Sequence, residues 1–168
     1  MTTDASPDER PRFSEATLAE YRELLQRYPQ RRAALLPTLW LAQRAFGWLS
    51  LPVMRYVAEL MELPLAWVTS TASFYTMYWK EPKGRWHLQV CRTLPCALRG
   101  AEEIQTTLER KLGIRSGERT ADGRFSLELV ECLAACGRGP ALQVNNTEYH
   151  ENLTVERALA LVERLAAE

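Results

Sequence analysis

Apolar side chains recur at helical spacing from residue 13 to residue 79, which predicts a helical first half of the chain. Leu18, Tyr21 and Leu25 form the first amphipathic stripe, after the potential capping residue Ser14. Short connections separate the helices, as in a compact bundle. The four predicted helices run from Ser14 past Tyr28, from about Arg32 to Phe46, from Ser50 past Leu60, and from Pro64 to about Tyr78.

The pattern changes after residue 84, where short alternating stretches flank a single amphipathic helix. Asn145-Asn146 lies between two such stretches and predicts a hairpin, because Asn tolerates positive φ. A strand–helix–strand crossover of this length favours parallel pairing of its two strands. The predicted elements are a strand at Trp86–Val90, a helix at Ala97–Leu112, a strand at 125–129, hairpin strands at 141–144 and 147–149, and a last helix capped by Thr154.

The fold class expected from this order is α/β, with an N-terminal helical bundle followed by a thioredoxin-like βαββα domain. Residues 1–12 are polar and are expected to be a disordered lead. The sequence Glu81-Pro82-Lys83-Gly84 interrupts both patterns. We therefore predict a helical subdomain at 13–80 and a second domain at 84–168.

Composition and charge exclude two classes of function. The chain has 21 Lys and Arg and 21 Asp and Glu, so it lacks the basic surface that nucleic-acid binding requires. Its longest apolar stretch, residues 33–42, is much shorter than the ~20 residues that span a bilayer. The polar N-terminus resembles neither a signal peptide nor a transit peptide. We expect a cytoplasmic protein that does not insert into the membrane.

The four cysteines form two close pairs in the second half of the chain. Cys91 and Cys96 make a C-x4-C clip, and Cys132 and Cys136 make a C-x3-C clip. The first clip follows the first predicted strand, and the second clip follows the strand expected to run parallel to it. Both clips should then lie at the same end of the sheet, where four thiolates can face a metal.

Spacing alone leaves several kinds of site open. An iron–sulfur cluster of the [2Fe–2S] type takes four thiolates, and structural zinc sites use similar clips. Disulfides or redox-active thiols are further alternatives. Arg92, Arg99 and Arg138 flank the clips and would favour a reduced, more anionic cluster, or they are simply solvated. Glu131 is the only acid expected close by.

Other candidate features lie around the clips. Gly137 and Gly139 would let the chain approach a cluster closely, and backbone N–H groups at the start of the predicted Ala97 helix could donate to sulfur. Gly139-Pro140 occupies the place of the cis-proline of thioredoxins, so we hypothesise a cis bond there. His87 is expected to face solvent and His150 to lie on the surface after the hairpin. No hydroxyl has the sequence context of a catalytic nucleophile, so we expect no Ser–His–Asp triad, and the G-x-G-x-x-G dinucleotide fingerprint is missing.

Two segments carry a resemblance to a known family. VCRTLPCALRGAEEI and LELVECLAACGRGPALQVNNTEYHENLT resemble the thioredoxin-like [2Fe–2S] subunit, of the 24 kDa type or E type, of NADH:quinone oxidoreductase, respiratory complex I. The helical half agrees through LPTLWLAQRAFGWLS and VTSTASFYTMY. The resemblance covers about residues 14–166. Gly137-Arg138-Gly139-Pro140 departs from the small or polar pair and Ala-Pro that the family usually has.

The resemblance implies one [2Fe–2S] cluster, with Cys91 and Cys96 on one iron and Cys132 and Cys136 on the other. It implies a flavin-bearing, NADH-oxidising partner subunit that holds FMN and NADH and exchanges electrons with the cluster. This chain would be a non-flavin electron-transfer subunit with no complete active site, at the inner face of the membrane through the complex. NAD-linked formate dehydrogenases and hydrogenases contain similar subunits, so these hosts stay open, as does a zinc-stapled binding module. A homodimer of the isolated chain also stays open.

Overall fold

The computed structural model describes residues 11–168, so nearly all of the predicted disordered lead lies outside the described residues. The chain forms two compact units, one ending at Pro82 and one running from Lys83 to Glu168. None of the helices in residues 11–168 has the length and apolar character needed to cross a membrane.

The N-terminal unit consists of four α-helices around an apolar core. The predicted caps are confirmed: the Ser14 hydroxyl accepts a hydrogen bond from Thr17 N at 3.2 Å, and the Ser50 hydroxyl accepts one from Val53 N at 3.3 Å. Leu39, Leu49 and further apolar side chains fill the core. The helices are α1 (Glu15–Gln26), α2 (Leu35–Phe46), α3 (Leu51–Met61) and α4 (Leu65–Phe74).

Three of the predicted helix boundaries in this unit are wrong. The first helix, α1, ends at Gln26 and does not include Tyr28. A 3₁₀ turn at Arg31–Ala34 precedes α2, so Pro37 lies in the first turn of the α-helix, where its missing N–H breaks no internal hydrogen bond. The last helix, α4, ends at Phe74 rather than near Tyr78. Tyr78 is fully buried, and its hydroxyl donates to Leu36 O at 2.7 Å. This aromatic residue is therefore a core residue of the loop after α4.

The C-terminal unit is a four-stranded sheet with the order β2-β1-β3-β4. The first two strands pair in parallel, as predicted, and β3 pairs antiparallel with both β1 and β4. An apolar core joins one face of the sheet to α6 and α7. The elements are β1 (Trp86–Cys91), α5 (Leu94–Ala97), α6 (Ala101–Leu112), β2 (Phe125–Val130), β3 (Leu142–Val144), β4 (Glu148–His150) and α7 (Val155–Ala167).

The helix predicted from Ala97 to Leu112 begins later, at Ala101, and a separate short helix, α5, precedes it. Gly100 has a φ of 96°, a left-handed conformation that glycine adopts readily and that separates α5 from α6. The separation gives Cys96 its own short helix. The hairpin prediction is confirmed, since Asn145 and Asn146 have φ values of 52° and 62°. The Thr154 cap is also confirmed, because its hydroxyl accepts from Arg157 N at 3.3 Å.

Candidate metal centre

Both cysteine clips lie at the carboxyl edge of the two parallel strands. Cys91 is the last residue of β1 and is in register with Val130, the last residue of β2. Cys132 follows β2 by two residues, and Cys136 begins a 3₁₀ turn that packs beside α5. The topology therefore places the two clips at one end of the sheet, as the sequence predicts.

The first clip is buried. Cys91 and Cys96 are almost completely shielded from solvent and pack with Ala101 and Ala141 in a small separate cluster. Burial raises the pKa of the Cys96 thiol, and its hydrogen bond with Cys91 raises it further. For Cys91, burial also opposes ionisation, yet hydrogen bonds from Thr93 and from the Leu133 amide hold its pKa below the ordinary value. Of the two buried thiols, Cys91 is therefore the one that loses its proton more readily.

The second clip is exposed and has a strained turn. Cys132 and Cys136 are open to solvent, and all four cysteines are free thiols. Ala134, between them, has a φ of 58°, which costs a non-glycine residue roughly 1 kcal/mol. In this conformation Ala134 N donates to Cys132 Sγ at 3.3 Å. The strained turn therefore supplies a backbone hydrogen bond to a sulfur.

The loop of the second clip closes against the buried clip. Cys91 Sγ lies 3.5 Å from Glu131 O. Gly139 packs so tightly that a Cβ there would lie 2.9 Å from Cys96 Sγ. At Gly139 the backbone therefore approaches a cysteine sulfur closely, whereas a Cβ at Gly137 would meet nothing within 4 Å. The approach of both glycines to a cluster stays a prediction. The Gly139-Pro140 bond is cis, as hypothesised.

The backbone donors that approach sulfur differ in part from those predicted. The amides of Cys96 and Ala97, in α5, donate to Thr93 O instead of to sulfur. Donors to the cysteine sulfurs come from Thr93 and Leu133 at Cys91, and from Ala141 at Cys96. The hydrogen bonds to the sulfurs of Cys91 and Cys96 therefore come from the loops around the clips and not from the first amides of a helix.

The three flanking arginines have different partners. Arg92 forms an ion pair with Glu131, and Arg138 forms one with Glu151 at 3.0 Å. Arg99 instead donates to backbone carbonyls of the second clip's loop. The expectation that Glu131 is the only acid near the clips is wrong. Glu151, which directly follows β4, forms an ion pair with Arg138 beside the second clip.

The four thiols are arranged as two pairs. Within residues 11–168, no three or more side chains of His, Cys, Asp or Glu form a single group that could hold a metal ion. A [2Fe–2S] cluster needs only two thiolates on each iron, and the chain presents its four thiols as two pairs. The tight packing at Gly139 leaves the backbone close to sulfur. The residues present therefore fit a [2Fe–2S] cluster.

A buried polar row on β1 and β2 is the main feature that the sequence analysis missed. His87 has no solvent exposure, so the prediction that it faces solvent is wrong. Its Nδ1 lies 2.8 Å from Ser126 Oγ, and its Nε2 lies 3.0 Å from Glu128 Oε2. Ser126 Oγ also accepts from Gly84 N at 2.9 Å, and Lys83 Nζ lies 3.5 Å from Glu128.

This row is a Ser–His–Glu arrangement, which the sequence analysis did not predict. Its geometry does not suit nucleophilic catalysis, because Ser126 is buried and its oxygen already accepts a backbone hydrogen bond. The row instead ties Lys83 and Gly84, at the start of the C-terminal unit, to the sheet. The other histidine, His150, is half-buried, and its Nε2 lies 2.9 Å from Glu148 Oε1; it is the last residue of β4, within the hairpin rather than after it.

The Glu128 carboxylate should make stability depend on pH. The hydrogen bond from His87, aided by Lys83, holds the pKa of Glu128 below its ordinary value. The stabilisation is then fully present above the unfolded pKa of about 4.3 and is lost as the pH falls through the lower folded pKa. We expect Glu128→Gln to lower the free energy of unfolding at pH 7 and to flatten its decline below about pH 5.

Urea unfolding at a series of pH values measures this effect. Glu163→Gln is the matched control, because Glu163 is an exposed carboxylate paired with Lys111 on the surface. If the free energy of unfolding falls equally steeply below about pH 5 in Glu128→Gln and in the unsubstituted protein, Glu128 is not the source of this pH dependence.

Comparison with known proteins agrees with this site. Residues 21–166 match the sequence profile of the family described as thioredoxin-like [2Fe-2S] ferredoxin. The chain belongs to this family. Thioredoxin-like [2Fe-2S] ferredoxins bind an iron–sulfur cluster, and the matched region contains both cysteine clips. The thioredoxin-like fold expected from the order of elements is therefore confirmed.

Relatives of this thioredoxin-like [2Fe-2S] ferredoxin include respiratory subunits of the E type. The E 2 subunit of the NADH-quinone oxidoreductase of Rhizobium meliloti (strain 1021) is 47% identical over 141 residues, which are 84% of this chain and 83% of that one. The E subunit of the NADH-quinone oxidoreductase of Rickettsia bellii (strain RML369-C) is 42% identical over 156 residues, covering 91% and 93% of the two chains. The resemblance to the E-type subunit of this oxidoreductase is therefore confirmed.

A solved structure of an NAD+-reducing [NiFe]-hydrogenase in the H2-reduced state is also similar. It superposes with a TM-score of 0.70 at 25% identity and covers 80% of this chain. The match covers 22% of the hydrogenase chain, so this ferredoxin spans about a fifth of that longer protein.

Proposed function

We propose that this chain is the electron-transfer subunit that carries one [2Fe–2S] cluster in NADH:quinone oxidoreductase. The observation that supports this most is the meeting of two free cysteine pairs at one edge of the sheet, within the region shared with the E-type subunits of that enzyme. We assign all four cysteines as ligands: Cys91 and Cys96 to one iron, and Cys132 and Cys136 to the other.

The residues of this chain would hold and tune the cluster. When bound, a [2Fe–2S] cluster supplies one-electron transfer. Cys91 and Cys96 would shield one side from water, whereas Cys132 and Cys136 lie on the exposed side, where a partner can approach. The amide of Ala134 donates to Cys132 and would favour the more anionic form. We assign no bond-making site to residues 11–168.

The partner that we propose is the flavin- and NADH-binding subunit of the same complex, which would hold FMN and NADH. Electrons would pass between that flavin and the cluster. In this arrangement the chain is cytoplasmic and lies peripherally at the inner face of the membrane.

Exposed aromatic side chains at the end of α4 offer a contact for this partner. Phe74 is 78% exposed and packs edge-on against Tyr75, which is also exposed. Aromatic residues are enriched at protein interfaces. We expect Phe74→Ala to weaken binding of the flavin subunit about tenfold, measured by calorimetric titration, with an unchanged melting temperature. Leu51→Ala, at an exposed apolar residue on α3, is the control, and equal affinity in both variants would contradict the prediction.

A hydrogenase or formate dehydrogenase is the second candidate host, and the similarity to an NAD+-reducing [NiFe]-hydrogenase supports the hydrogenase alone. Affinity purification of the tagged chain from its native cells, followed by mass spectrometry and flavin analysis, distinguishes the hosts. We expect the flavin subunit and membrane subunits of NADH:quinone oxidoreductase at equal stoichiometry. Recovery of hydrogenase or formate dehydrogenase subunits instead would overturn the complex I assignment, and recovery of the chain alone would overturn both.

A further inference from the structure

We propose that Arg99 is a positioning residue that braces the second cysteine clip against the first and supplies uncompensated positive charge to the cluster. This inference rests on the proposed function, since it concerns the site formed by Cys91, Cys96, Cys132 and Cys136. It distinguishes Arg99 from the other two arginines that flank the clips.

The backbone of Arg99 is attached to the first clip. Arg99 N donates to Cys96 O at 3.1 Å, immediately after the short helix α5 that carries Cys96. The left-handed Gly100 follows and turns the chain into α6. The base of the arginine side chain is thus fixed relative to Cys96.

The guanidinium of Arg99 reaches the second clip. Its Nη1 donates to Gly137 O at 3.3 Å and to Gly139 O at 3.2 Å, the carbonyls on either side of Arg138. Gly137 directly follows Cys136, and Gly139 is the residue that packs against Cys96 Sγ. One side chain therefore joins the loop of Cys136 to the residues around Cys96, and its loss would free that loop.

The charge of Arg99 also differs from that of its neighbours. Arg92 is paired with Glu131 and Arg138 with Glu151, so a carboxylate offsets each of these charges. In the described part of the chain, Arg99 contacts neutral carbonyls and forms no ion pair. Because an all-thiolate [2Fe–2S] centre is anionic and gains a further negative charge on reduction, an unpaired cation beside it favours the reduced state.

Arg99→Gln tests both parts of the proposal on the cluster-loaded chain. We expect cluster loss to an iron chelator to become at least about tenfold faster, because outer-sphere residues typically contribute about ten- to a hundredfold to metal affinity. The midpoint potential, followed by EPR during a redox titration, should become more negative. Arg99→Lys keeps the charge without the planar fork. In Arg99→Lys the midpoint potential should return most of the way to that of the unsubstituted chain, while cluster loss stays as fast as in Arg99→Gln.

Arg138→Gln is the matched control, because it removes the same charge from the second clip without touching the Gly137 or Gly139 carbonyls. Unchanged retention and potential in Arg99→Gln, or equal shifts in Arg138→Gln, would overturn the proposal. Retention in Arg99→Lys equal to that of the unsubstituted chain would overturn the bracing role. If the unsubstituted chain binds no [2Fe–2S] cluster, the proposed function itself fails, which is a separate outcome.

Discussion

Replacing Cys132 with alanine should abolish the [2Fe–2S] cluster while leaving the polypeptide folded. Cys132 is exposed, and its side chain contributes nothing to the apolar core, so the substitution removes a ligand without opening a cavity. Cys96→Ala would be less informative, because Cys96 is buried and its loss would also disturb packing. We expect Cys132→Ala to lose the visible absorption and the EPR signal of the reduced protein, with an unchanged far-UV circular dichroism spectrum.

Ala134→Gly provides the control in the same clip. Ala134 is exposed and has positive φ, which glycine adopts without strain, so this variant should keep the cluster. A Cys132→Ala protein with an unaltered cluster would refute the assignment of Cys132 as a ligand. Loss of the cluster from Ala134→Gly would show that substitutions other than loss of a ligand also disrupt the second clip, so cluster loss in Cys132→Ala would not identify Cys132 as a ligand.

Replacing His87 with leucine should destabilise the chain by about 2–4 kcal/mol, because it removes two hydrogen bonds of a completely buried ring, one to Ser126 and one to the Glu128 carboxylate. His87 is completely buried, and its ring contacts Ser126 on one side and Glu128 on the other. Leucine has a similar size, so the cost comes from hydrogen bonding more than from packing. Urea unfolding at pH 7 measures the difference.

His150→Leu is the control, since His150 is only half-buried and contacts an exposed glutamate, Glu148. We expect a change below about 1 kcal/mol there. A cost for His87→Leu no larger than that for His150→Leu would mean that the buried row does not hold the start of the C-terminal unit to the sheet.

The apolar face of the sheet could be predicted from the sequence, and the polar face could not. Leu88 and Val90 alternate with polar residues, and burying them fixes the strand register. The intervening residues, His87 and Gln89, show the same alternation whether they face water or a hydrogen-bonded interior. Their partners, such as Ser126, are distant in sequence, so local pattern gives no sign of the burial.

The candidate site shows the same division. Cysteine spacing and parallel strand order placed both clips at one edge, because the carboxyl ends of parallel strands meet there. The spacing did not reveal which clip is buried, since this depends on packing against Ala101 and Ala141. Nor did it reveal that Arg138 pairs with Glu151, because only the hairpin brings that carboxylate back to the clip.

Metal analysis of the anaerobically purified chain tests the central claim most directly. The proposal predicts about two iron and two acid-labile sulfide ions per chain, with a red-brown colour and an EPR signal that appears on one-electron reduction. One zinc ion per colourless chain, or four thiols that remain reactive after reconstitution with iron and sulfide, would contradict it.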